Sequence, residues 1–531
     1  MSASEHQPGN EPAELQEQLD KALEERDQYR KLYELSREEV ERLKCGLTGQ
    51  KAERLPDDVK QLSLQVLGLA LQDAEKANEP KPKREKVKAH TRTKPTGKKP
   101  LPDNLPLVEI ELVPDEVKQN PDAWELIGEE IRETLERRPS SMVRVVTKRP
   151  KFVPKDRPRL GPTKVIISEV PELPIERGSA GPGLLADTIV RRWDDHMPLN
   201  RLERSYAREG VELARSTICG WHDQLASQSE PLIAAMFEDA YNEPYLCTDA
   251  TGVLVQAKNK CRSGHFWVLV VPDRHILFRY SDRHDSQAVD ELLKGYEGYL
   301  VADAHVVYDH LYKDGPIIES GCWSHNRRYY FKALDSDPDR AKIALGLIRQ
   351  LFRIERTIAH SPRKKKKAVR EEQSKPIVTR FFEWCRAERD EVLASTPIAT
   401  AIGYSLNQED ALRRFLEDGA LPIHNNISER ELRRQVIGRK NWMFLGSRDG
   451  AVANTTFTSL LASCRLHGVE PWAYLRDLFC LLPSWPSERI IELAPVNWCQ
   501  TLQDEETQRQ LDANIYRMAT IMDLDAHETA K

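Results

Sequence analysis

The stretch Tyr-Leu-Cys-Thr-Asp-Ala-Thr-Gly-Val at residues 245–253 is rich in β-branched and aromatic residues, and it contains one acid, Asp249. A second apolar run, Gly-Tyr-Leu-Val-Ala-Asp at residues 298–303, ends in Asp303. Both runs have the composition of buried strands, and each carries a single carboxylate. This pair of acidic strands decides the fold that we predict for the chain.

The residues between and around these runs predict the rest of a sheet. The first strand extends over 245–256, and two more strands are expected over 265–272 and 275–280. The sequence Pro-Asp-Arg-His at 272–275 is a natural hairpin turn between the last two. A helix over 286–296 then leads to the fourth strand. The order is therefore three strands, a helix and a strand.

The two aspartates are candidate metal ligands. A carboxylate in a mostly buried strand is costly unless it is paired, protonated or bound to a metal. Two acids at the ends of adjacent strands would share divalent cations, and hard oxygen ligands suit magnesium or manganese. Either acid alone is better explained as an ordinary strand-end residue that caps a loop. Asp249 and Asp303 together, in this strand order, favour the metal site.

A third acid would complete the site, and Glu429 is the candidate. It lies in Ile-His-Asn-Asn-Ile-Ser-Glu-Arg-Glu-Leu-Arg at 423–433, where the Asn pair is expected to cap a helix that points Glu429 at the sheet. Glu431 is the nearest competitor, and spacing alone does not separate the two. Basic groups suited to phosphate surround them: Arg430, Arg433, Arg434, Arg439 and Lys440.

Such a site predicts a reaction at phosphodiesters. Two metals roughly 3.5–4 Å apart activate water or a 3′-hydroxyl and stabilise the leaving oxygen. No protein nucleophile is required, which separates this chemistry from serine or tyrosine recombination.

The N-terminal part of the chain predicts a helix and a basic linker. Residues 12–47 have apolar side chains on a 4-3 spacing that Arg26 and Ser36 interrupt, which indicates a weak dimerising coiled coil. An amphipathic helix packed on its own domain is the alternative. Residues 79–100 lack apolar periodicity and contain nine Lys or Arg between Lys81 and Lys99, so we expect a disordered linker that contacts phosphate.

Two further regions lie before the sheet. Residues 103–165 predict a small α+β module with strands over 108–112 and 143–146 and a helix over 124–137. Helices over 183–196, 199–209 and 216–227 follow. The last two are joined by a Gly-containing turn, and the second opens with Ser216 and Thr217. This pattern suits a DNA-binding helix-turn-helix, although many helical hairpins look alike.

Composition limits the class of protein. A chain of 531 residues with 33 prolines is expected to hold several domains. The net charge of −5 is unevenly distributed, and a second basic run occupies 363–367 within a helical region over 335–420. No signal peptide or membrane span is recognisable, and the nine cysteines never form a Cys-x-x-Cys pair. We therefore expect a soluble cytoplasmic protein.

Several strings in the chain are specific enough to suggest a family. They are Gly-Cys-Trp-Ser-His-Asn-Arg-Arg at 321–328, the Asn-Asn block at 425–433, Ile-Gly-Arg-Lys-Asn-Trp-Met-Phe at 437–444, Gly-Val-Glu-Pro-Trp-Ala-Tyr-Leu at 468–475 and Glu-Leu-Ala-Pro-Val-Asn-Trp at 492–498. These strings resemble the IS66 family of insertion-sequence transposases, and the likeness covers nearly the whole chain.

The resemblance implies a ribonuclease-H-like α/β catalytic core with a long helical insertion, in a multidomain α+β chain. Asp249, Asp303 and Glu429 would form the metal-binding triad, and Glu429 is favoured over Glu431. The implied substrate is the DNA of the element's terminal inverted repeats, cut and joined to target DNA. Arg327 and Arg328, beside the second aspartate's motif, join the basic residues expected to contact DNA.

The predicted organisation combines both lines of reasoning. It runs from a coiled-coil region (1–75) and basic linker (76–102) through a degenerate zinc-finger-like module (103–165), a helix-turn-helix-like region (166–238), the catalytic core (239–450, with the insertion at about 335–420) and a C-terminal helical region (451–500) to a tail (501–531). A homo-oligomer formed through the coiled coil is expected, together with accessory proteins of the same element and no membrane association.

One departure from the family concerns zinc. Members usually carry a small zinc-binding module before the helical region, but residues 103–165 contain no cysteine. Without thiolates the usual tetrahedral site cannot form, so we expect no structural zinc there. Cys322 and His325 have zinc-ligand spacing, as do Cys219 and His222, but packing or shaping of the active site is the favoured role for Cys322 and His325.

Two alternatives to a transposase stay open. A related ribonuclease-H-like nuclease or integrase would have the same fold and acids. A catalytically silent, transposase-derived DNA-binding or regulatory protein is the second alternative, against which the three intact acids argue.

Overall fold

The computed structural model describes residues 105–137, 141–156, 164–176, 178–258, 260–313 and 315–521. The predicted coiled coil and basic linker lie outside these residues. The described chain forms two compact units. The sheet unit comprises the described residues up to Cys322 and from His424 onward, and the insertion unit comprises Trp323–Ile423.

The sheet unit begins with a small module built around one long strand. Its elements are β1 (Leu107–Glu111), α1 (Asp115–Gln119), β2 (Trp124–Arg137), β3 (Met142–Pro154) and β4 (Ile166–Ile167). The strand β3 is central, since it pairs in parallel with β1, antiparallel with β2 and over two residues with β4. Its buried valines, Val143 and Val145, form a small core with Val108.

The predicted helix over 124–137 is wrong, because these residues form the strand β2. They pair with β3 from Trp124 to Arg137 with a single irregularity between Leu126 and Gly128. The Glu, Leu and Arg residues of this segment are good helix formers, but such preferences differ by only a fraction of about 1 kcal/mol per residue, and Gly128 opposes a helix by about 1 kcal/mol. Pairing along the whole edge of β3 outweighs that local preference.

Four helices connect the module to the main sheet. They are α2 (Pro182–Ile189, extended by a π-helical turn to Asp194), α3 (Leu199–Arg208), α4 (Arg215–Gln228) and α5 (Glu230–Ala240). The three predicted helices of this region are confirmed. Gly210, with φ 84°, makes the turn after α3, where a left-handed backbone favours glycine.

The main sheet has five strands in the order β7-β6-β5-β8-β9. Its elements along the chain are β5 (Tyr245–Gln256), β6 (Cys261–Val271), β7 (His275–Ser281), α6 (Ser286–Leu292), β8 (Gly298–Val301), α7 (Asp309–Lys313) and β9 (Ile317–Ser320). The strand β5 pairs antiparallel with β6 and parallel with β8. The four predicted strands are confirmed, and β9 is an additional parallel strand that we did not predict.

The insertion unit is helical, as predicted for this region. Its helices are α8 (Trp323–Lys332), α9 (Pro338–Thr357), α10 (Arg363–Val369), α11 (Lys375–Arg389), α12 (Pro397–Asn407) and α13 (Glu409–Arg413). An aromatic core holds them together. The Trp323 indole donates to the Leu412 carbonyl at 2.8 Å, and its ring lies 5.2 Å from that of Phe381.

Helices complete the sheet unit after the insertion. They are α14 (Asn426–Trp442), α15 (Arg448–Leu466), α16 (Pro471–Leu481), α17 (Trp498–Thr501), α18 (Glu505–Ala513) and α19 (Ile515–Ile521). Most of α15 is buried, and it covers the edge strand β7. The combination of two mixed sheets with many helices confirms a multidomain α+β chain. Across the described residues, every helix falls short of the length and apolarity needed to cross a membrane.

Candidate active site

The sheet brings Asp249, on β5, and Asp303, just after the end of β8, to matching positions. Parallel pairing joins Leu246 to Leu300 and Cys247 to Val301. Each aspartate lies two residues beyond this last pair. Side chains alternate along a strand, so Asp249 is directed to the same face as Cys247. That face is packed against α14 and α15, because Cys247 and Val301 share a core cluster with Leu432 and Ala462.

A buried tyrosine lies next to both acids. Tyr308 is 2% exposed, and burial together with the negative charges of Asp303 and Asp249 raises its pKa well above the usual value. A hydrogen bond with Thr248 opposes this shift. The Tyr308 hydroxyl therefore stays protonated at neutral pH beside two carboxylates. Sequence reasoning missed this residue, since an isolated tyrosine after a strand gives no spacing signal.

The helix α14 is fastened along β5 at two points. At its start the Asn425 side-chain amide donates to the Thr248 carbonyl at 2.7 Å, and the Asn425 backbone N–H donates to the Cys322 sulfur at 3.2 Å. At its far end Arg439 donates to the Thr251 hydroxyl at 3.0 Å and to the Gly252 carbonyl. Asn425 is the N-cap residue of α14, as predicted, but its side chain makes no capping hydrogen bond and bonds the strand instead.

Glu429 and Glu431 occupy different sides of α14. Residues three and four apart on a helix are neighbours, so Glu429 shares a side with Asn425 and Leu432, which contact β5 and its core. Glu431 is 6% exposed and accepts hydrogen bonds from Arg434 at 3.0 Å and Arg430 at 3.3 Å. Glu431 is thus engaged in ion pairs. Glu429 is half-buried and lies in the first turn of α14.

The donor set fits a hard divalent cation. Asp249 and Asp303 supply carboxylate oxygens, the ligand type that magnesium and manganese prefer. Within the described ranges, no three His, Cys, Asp or Glu side chains are close enough to hold a metal ion together. Magnesium commonly uses one or two carboxylates and completes its shell with water and substrate phosphates. Two aspartates therefore suffice to begin such a site.

A group of histidines borders the acids. The His284 ring stacks on Trp267 with centroids 5.1 Å apart and lies 4.6 Å from His265 and 5.0 Å from His305. Burial and the neighbouring His305 lower the pKa of His284, while the charge of Asp303 acts in the opposite direction. Nothing in the sequence spacing marks these histidines, which meet only through the β6–β7 hairpin and the loops that follow.

The residues predicted to contact DNA are mostly exposed. Arg430, Arg433 and Lys440 are exposed on α14, Ser216 and Thr217 are exposed at the start of α4, and Arg327 and Arg328 are exposed on α8 of the insertion unit. Arg439 differs, because its half-buried guanidinium is bonded to β5.

The residues of the two Cys-x-x-His pairs, which were considered as zinc ligands, make contacts with other groups. Cys322 is 1% exposed and accepts the Asn425 N–H within the sheet unit, while His325 belongs to the insertion unit. His222 is buried and bonded to the Thr188 hydroxyl at 3.0 Å. Burial and the charge of Arg192 lower the pKa of His222 to about 3.

Comparison with known proteins agrees with the resemblance noted from the sequence. The sequence profile described as Transposase IS66 family matches residues 177–453, the IS66 C-terminal element matches 459–496, and the profile named Transposase C of IS166 homeodomain matches 37–110. The chain belongs to the IS66 transposase family. The match at 37–110 covers residues that we interpreted as a coiled coil and a linker.

Similar proteins occur in Sinorhizobium fredii (strain NBRC 101917 / NGR234). Its uncharacterized protein y4hP is 30% identical over 490 residues, which are 86% of this chain and 88% of that protein. Its uncharacterized protein y4qI is 30% identical over 392 residues, covering 70% of this chain and 72% of that protein.

Proposed function

We propose that this chain is a DNA transposase that cleaves and joins strands at the terminal inverted repeats of its element. The observation that carries the proposal is the placement of Asp249 within β5 and of Asp303 two residues beyond the end of β8, its parallel neighbour. Glu429 lies on the helix that is fastened to the same strand. Family membership supports the same activity, and the sheet order supports a ribonuclease-H-like core.

In this proposal Asp249, Asp303 and Glu429 hold magnesium or manganese. Bound cations would activate water or a 3′-hydroxyl and stabilise the leaving oxygen of a phosphodiester. The Asn425–Thr248 and Arg439–Thr251 hydrogen bonds hold α14, the helix that carries Glu429, to the strand that carries Asp249. Protonated Tyr308 adds no negative charge to a site that already concentrates it.

DNA would be held by groups outside this acidic site. The exposed basic residues of α14, the start of α4 and the exposed arginines of α8 supply phosphate contacts. The homeodomain match at 37–110 supports a further DNA-binding region. Assembly through the predicted coiled coil and cooperation with accessory proteins of the element are parts of the same proposal.

The test is cleavage of a DNA duplex that carries the element's inverted repeat. Asp249→Asn, Asp303→Asn and Glu429→Gln should each reduce cleavage about 100- to 1000-fold, as expected when several kcal/mol of metal stabilisation is lost. Binding of the same duplex, measured by gel shift, should change little. Chelation of magnesium should stop cleavage by the unmodified protein, and its return should restore it.

Glu431→Gln is the matched control on the same helix. Because Glu431 is occupied by Arg430 and Arg434, its replacement should leave cleavage within a few-fold of the original. Normal cleavage by the Glu429→Gln protein would refute the third assignment. Equal cleavage with and without divalent metal would refute the mechanism.

A further inference from the structure

A cavity of about 740 Å³ lies in the sheet unit, away from the acids. The first turns of α3 and α4 form one part of its lining and contribute Arg201, Arg215 and Ser216. The end of α14 and the segment after it form another part, with Trp442, Met443 and Phe444. Glu203 also lines the cavity and forms an ion pair with Arg215 at 3.1 Å. The cavity thus combines aromatic side chains with cations, one of which is paired.

Arg192, which also lines this cavity, is a buried cation that lacks an acidic partner. It is 6% exposed, its Nε has no hydrogen-bond partner, and its Nη1 makes one long bond of 3.4 Å to the Met197 carbonyl. Over the described parts of the chain, no carboxylate forms an ion pair with it. Burial lowers its pKa to about 10, so it is charged at neutral pH. The Trp193 and Trp442 rings, with centroids 4.4 and 5.6 Å from the guanidinium, offset part of the cost of this buried charge. A bound anion would offset more of it.

Two helix starts add to the positive potential. The N-terminal caps of α3 and α4 are Pro198 and Ala214, and neither helix has a side-chain cap. The Arg201 N–H bonds the Pro198 carbonyl at 2.8 Å and the Thr217 N–H bonds the Ala214 carbonyl at 3.0 Å. The N–H groups of the first two residues of each helix therefore remain for a ligand beside Arg192. Helix starts of this kind bind phosphate groups.

The opposite wall presents apolar side chains to solvent. Met443 has φ 62° and is 71% exposed, and Phe444 is 42% exposed. A positive φ is strained for a residue with a side chain, so this turn is held in an unfavourable backbone conformation. Trp442 lies behind it, with the Arg192 guanidinium 5.6 Å from its ring centroid. An exposed phenylalanine in the lining of a cavity that also contains cations is a surface on which a nucleobase stacks.

We propose that this cavity is a second DNA site, which binds one phosphate of a single strand at Arg192 and stacks the adjoining unpaired base on Phe444. A base within a duplex is stacked on its neighbours, so the occupant is a frayed or single-stranded segment of the DNA. The inference rests on the proposed function, because it assigns the cavity to the same substrate.

The test uses the full-length protein without metal and a single-stranded tetranucleotide that contains the fluorescent base 2-aminopurine. Stacking on Phe444 should change the fluorescence of this base on binding. Phe444→Ala should weaken binding about 5- to 100-fold, the range measured for loss of one stacked base. Ile437→Ala, which removes another exposed apolar side chain near the end of α14, should bind like the original.

A second probe separates the phosphate from the base. The same tetranucleotide with abasic sites should bind more weakly to the original protein and be insensitive to Phe444→Ala. Inorganic phosphate should compete only at much higher concentration. Binding of phosphate as tightly as the tetranucleotide would overturn the proposal, since the cavity would then be a simple anion site.

Salt dependence tests the cationic wall. Arg201→Ala, which removes a second cation from the cavity lining, should reduce the slope of log affinity against log salt by up to about 0.7, the contribution of one phosphate contact to a single strand. Arg204→Ala, an exposed arginine one turn along α3 that does not line the cavity, is the matched control. Arg192→Gln tests the buried cation. If that protein does not fold, comparison of Arg201→Ala with Arg204→Ala tests the cationic wall.

Equal affinities and salt slopes for the Arg201, Arg204 and Phe444 variants would overturn the proposal. The result is independent of catalysis, because binding is measured without metal. If the Asp303 variant loses cleavage but the cavity variants bind the tetranucleotide as the original does, the cavity proposal is refuted. The transposase proposal is then intact. If the protein binds the tetranucleotide at this cavity but never cleaves DNA, the transposase proposal is refuted and the cavity site is supported.

Discussion

Glu136, near the end of β2, has a buried carboxyl group whose ionisation affects the stability of the folded protein. Its carboxyl group is fully buried and accepts the backbone N–H groups of Leu184 at 2.6 Å and Arg137 at 2.7 Å. Gly181 permits this contact, because a Cβ there would lie 1.9 Å from the carboxyl oxygen. Burial raises the pKa of Glu136 from 4.5 to about 8, against the effect of those hydrogen bonds.

This shift predicts a pH-dependent stability. The folded protein retains the Glu136 proton to a higher pH than the unfolded chain does. The contribution of Glu136 to the free energy of unfolding is therefore complete below pH 4.5 and decreases as the pH rises towards 8. The free energy of unfolding should fall by up to about 1.4 kcal/mol per pH unit in this window. Urea denaturation of the original protein and of Glu136→Gln at pH 5, 6.5 and 8 would measure it.

The glutamine variant keeps the acceptor oxygen and loses the titration, so the difference between the two proteins should change with pH. Glu133→Gln, an exposed position on the same strand, serves as the control and should show a constant difference. A pH-independent difference for Glu136→Gln would contradict the prediction.

The candidate site could be predicted from the sequence only in part. Asp249 and Asp303 stand out because acids are rare in apolar strands. Their matching register depends on β5 pairing with β8, which no local pattern encodes. Glu429 could not be separated from Glu431 by spacing, since the difference lies in which side of α14 faces the strand. Arg192 resembled any other helical arginine.

At the scale of elements, α15 protects the free edge of the main sheet. The backbone N–H of Phe278 donates to the Ser459 hydroxyl at 2.7 Å, and that of Ile276 donates to the Ser463 hydroxyl at 3.1 Å. Serines four apart on the helix thus match amides two apart on β7. An exposed edge strand would offer unpaired amides to another chain, and this arrangement satisfies them internally.

Replacement of these serines should therefore be destabilising. Ser459→Ala and Ser463→Ala each leave a buried N–H group without a partner, and each should lower the free energy of unfolding by about 1–3 kcal/mol. Chemical denaturation would measure the loss, and light scattering would detect association through the uncovered edge. Ser487→Ala, at an exposed position, should change neither the free energy of unfolding nor the light scattering. If Ser459→Ala and Ser463→Ala also change neither, the protective role of α15 is contradicted.

Elements were predicted well where local and tertiary preferences agree. The strands β5 to β8 combine β-branched residues with a buried position, so local composition indicated them. The segment from Trp124 to Arg137 has helix-forming composition but pairs along β3, and only the neighbouring strand decides its structure. The short strand β9, with four residues, is too brief to give a periodic signal.

At the scale of the molecule, the insertion unit is closed at its base. Its first residue, Trp323, donates its backbone N–H to the carbonyl of its last residue, Ile423, at 3.1 Å. In the sheet unit the flanking residues are also adjacent, since the Cys322 sulfur is 3.2 Å from the Asn425 nitrogen. The aromatic core around Trp323 belongs to the insertion alone.

This arrangement predicts that the insertion is separable. A protein in which residues 323–423 are replaced by two glycines should keep a folded sheet unit, because the joined ends already lie side by side. The isolated segment 323–423 should unfold cooperatively on heating, as followed by circular dichroism. A sheet unit that loses its cooperative transition after the deletion would contradict the prediction, with a deletion of 298–320, which removes β8 and β9, as the unfolded reference.

The closed base of the insertion also bears on the order of events during folding. About 125 residues of chain separate Asp303 from Glu429, but a folded insertion shortens the effective loop to about 25. The entropy of closing that loop falls by roughly 1.4 kcal/mol, or about tenfold in the probability of closure. The insertion leaves the ribosome before Glu429 is synthesised and can fold first. Early folding of this segment would then bring the last of the three acids within easy reach of a sheet that is already formed.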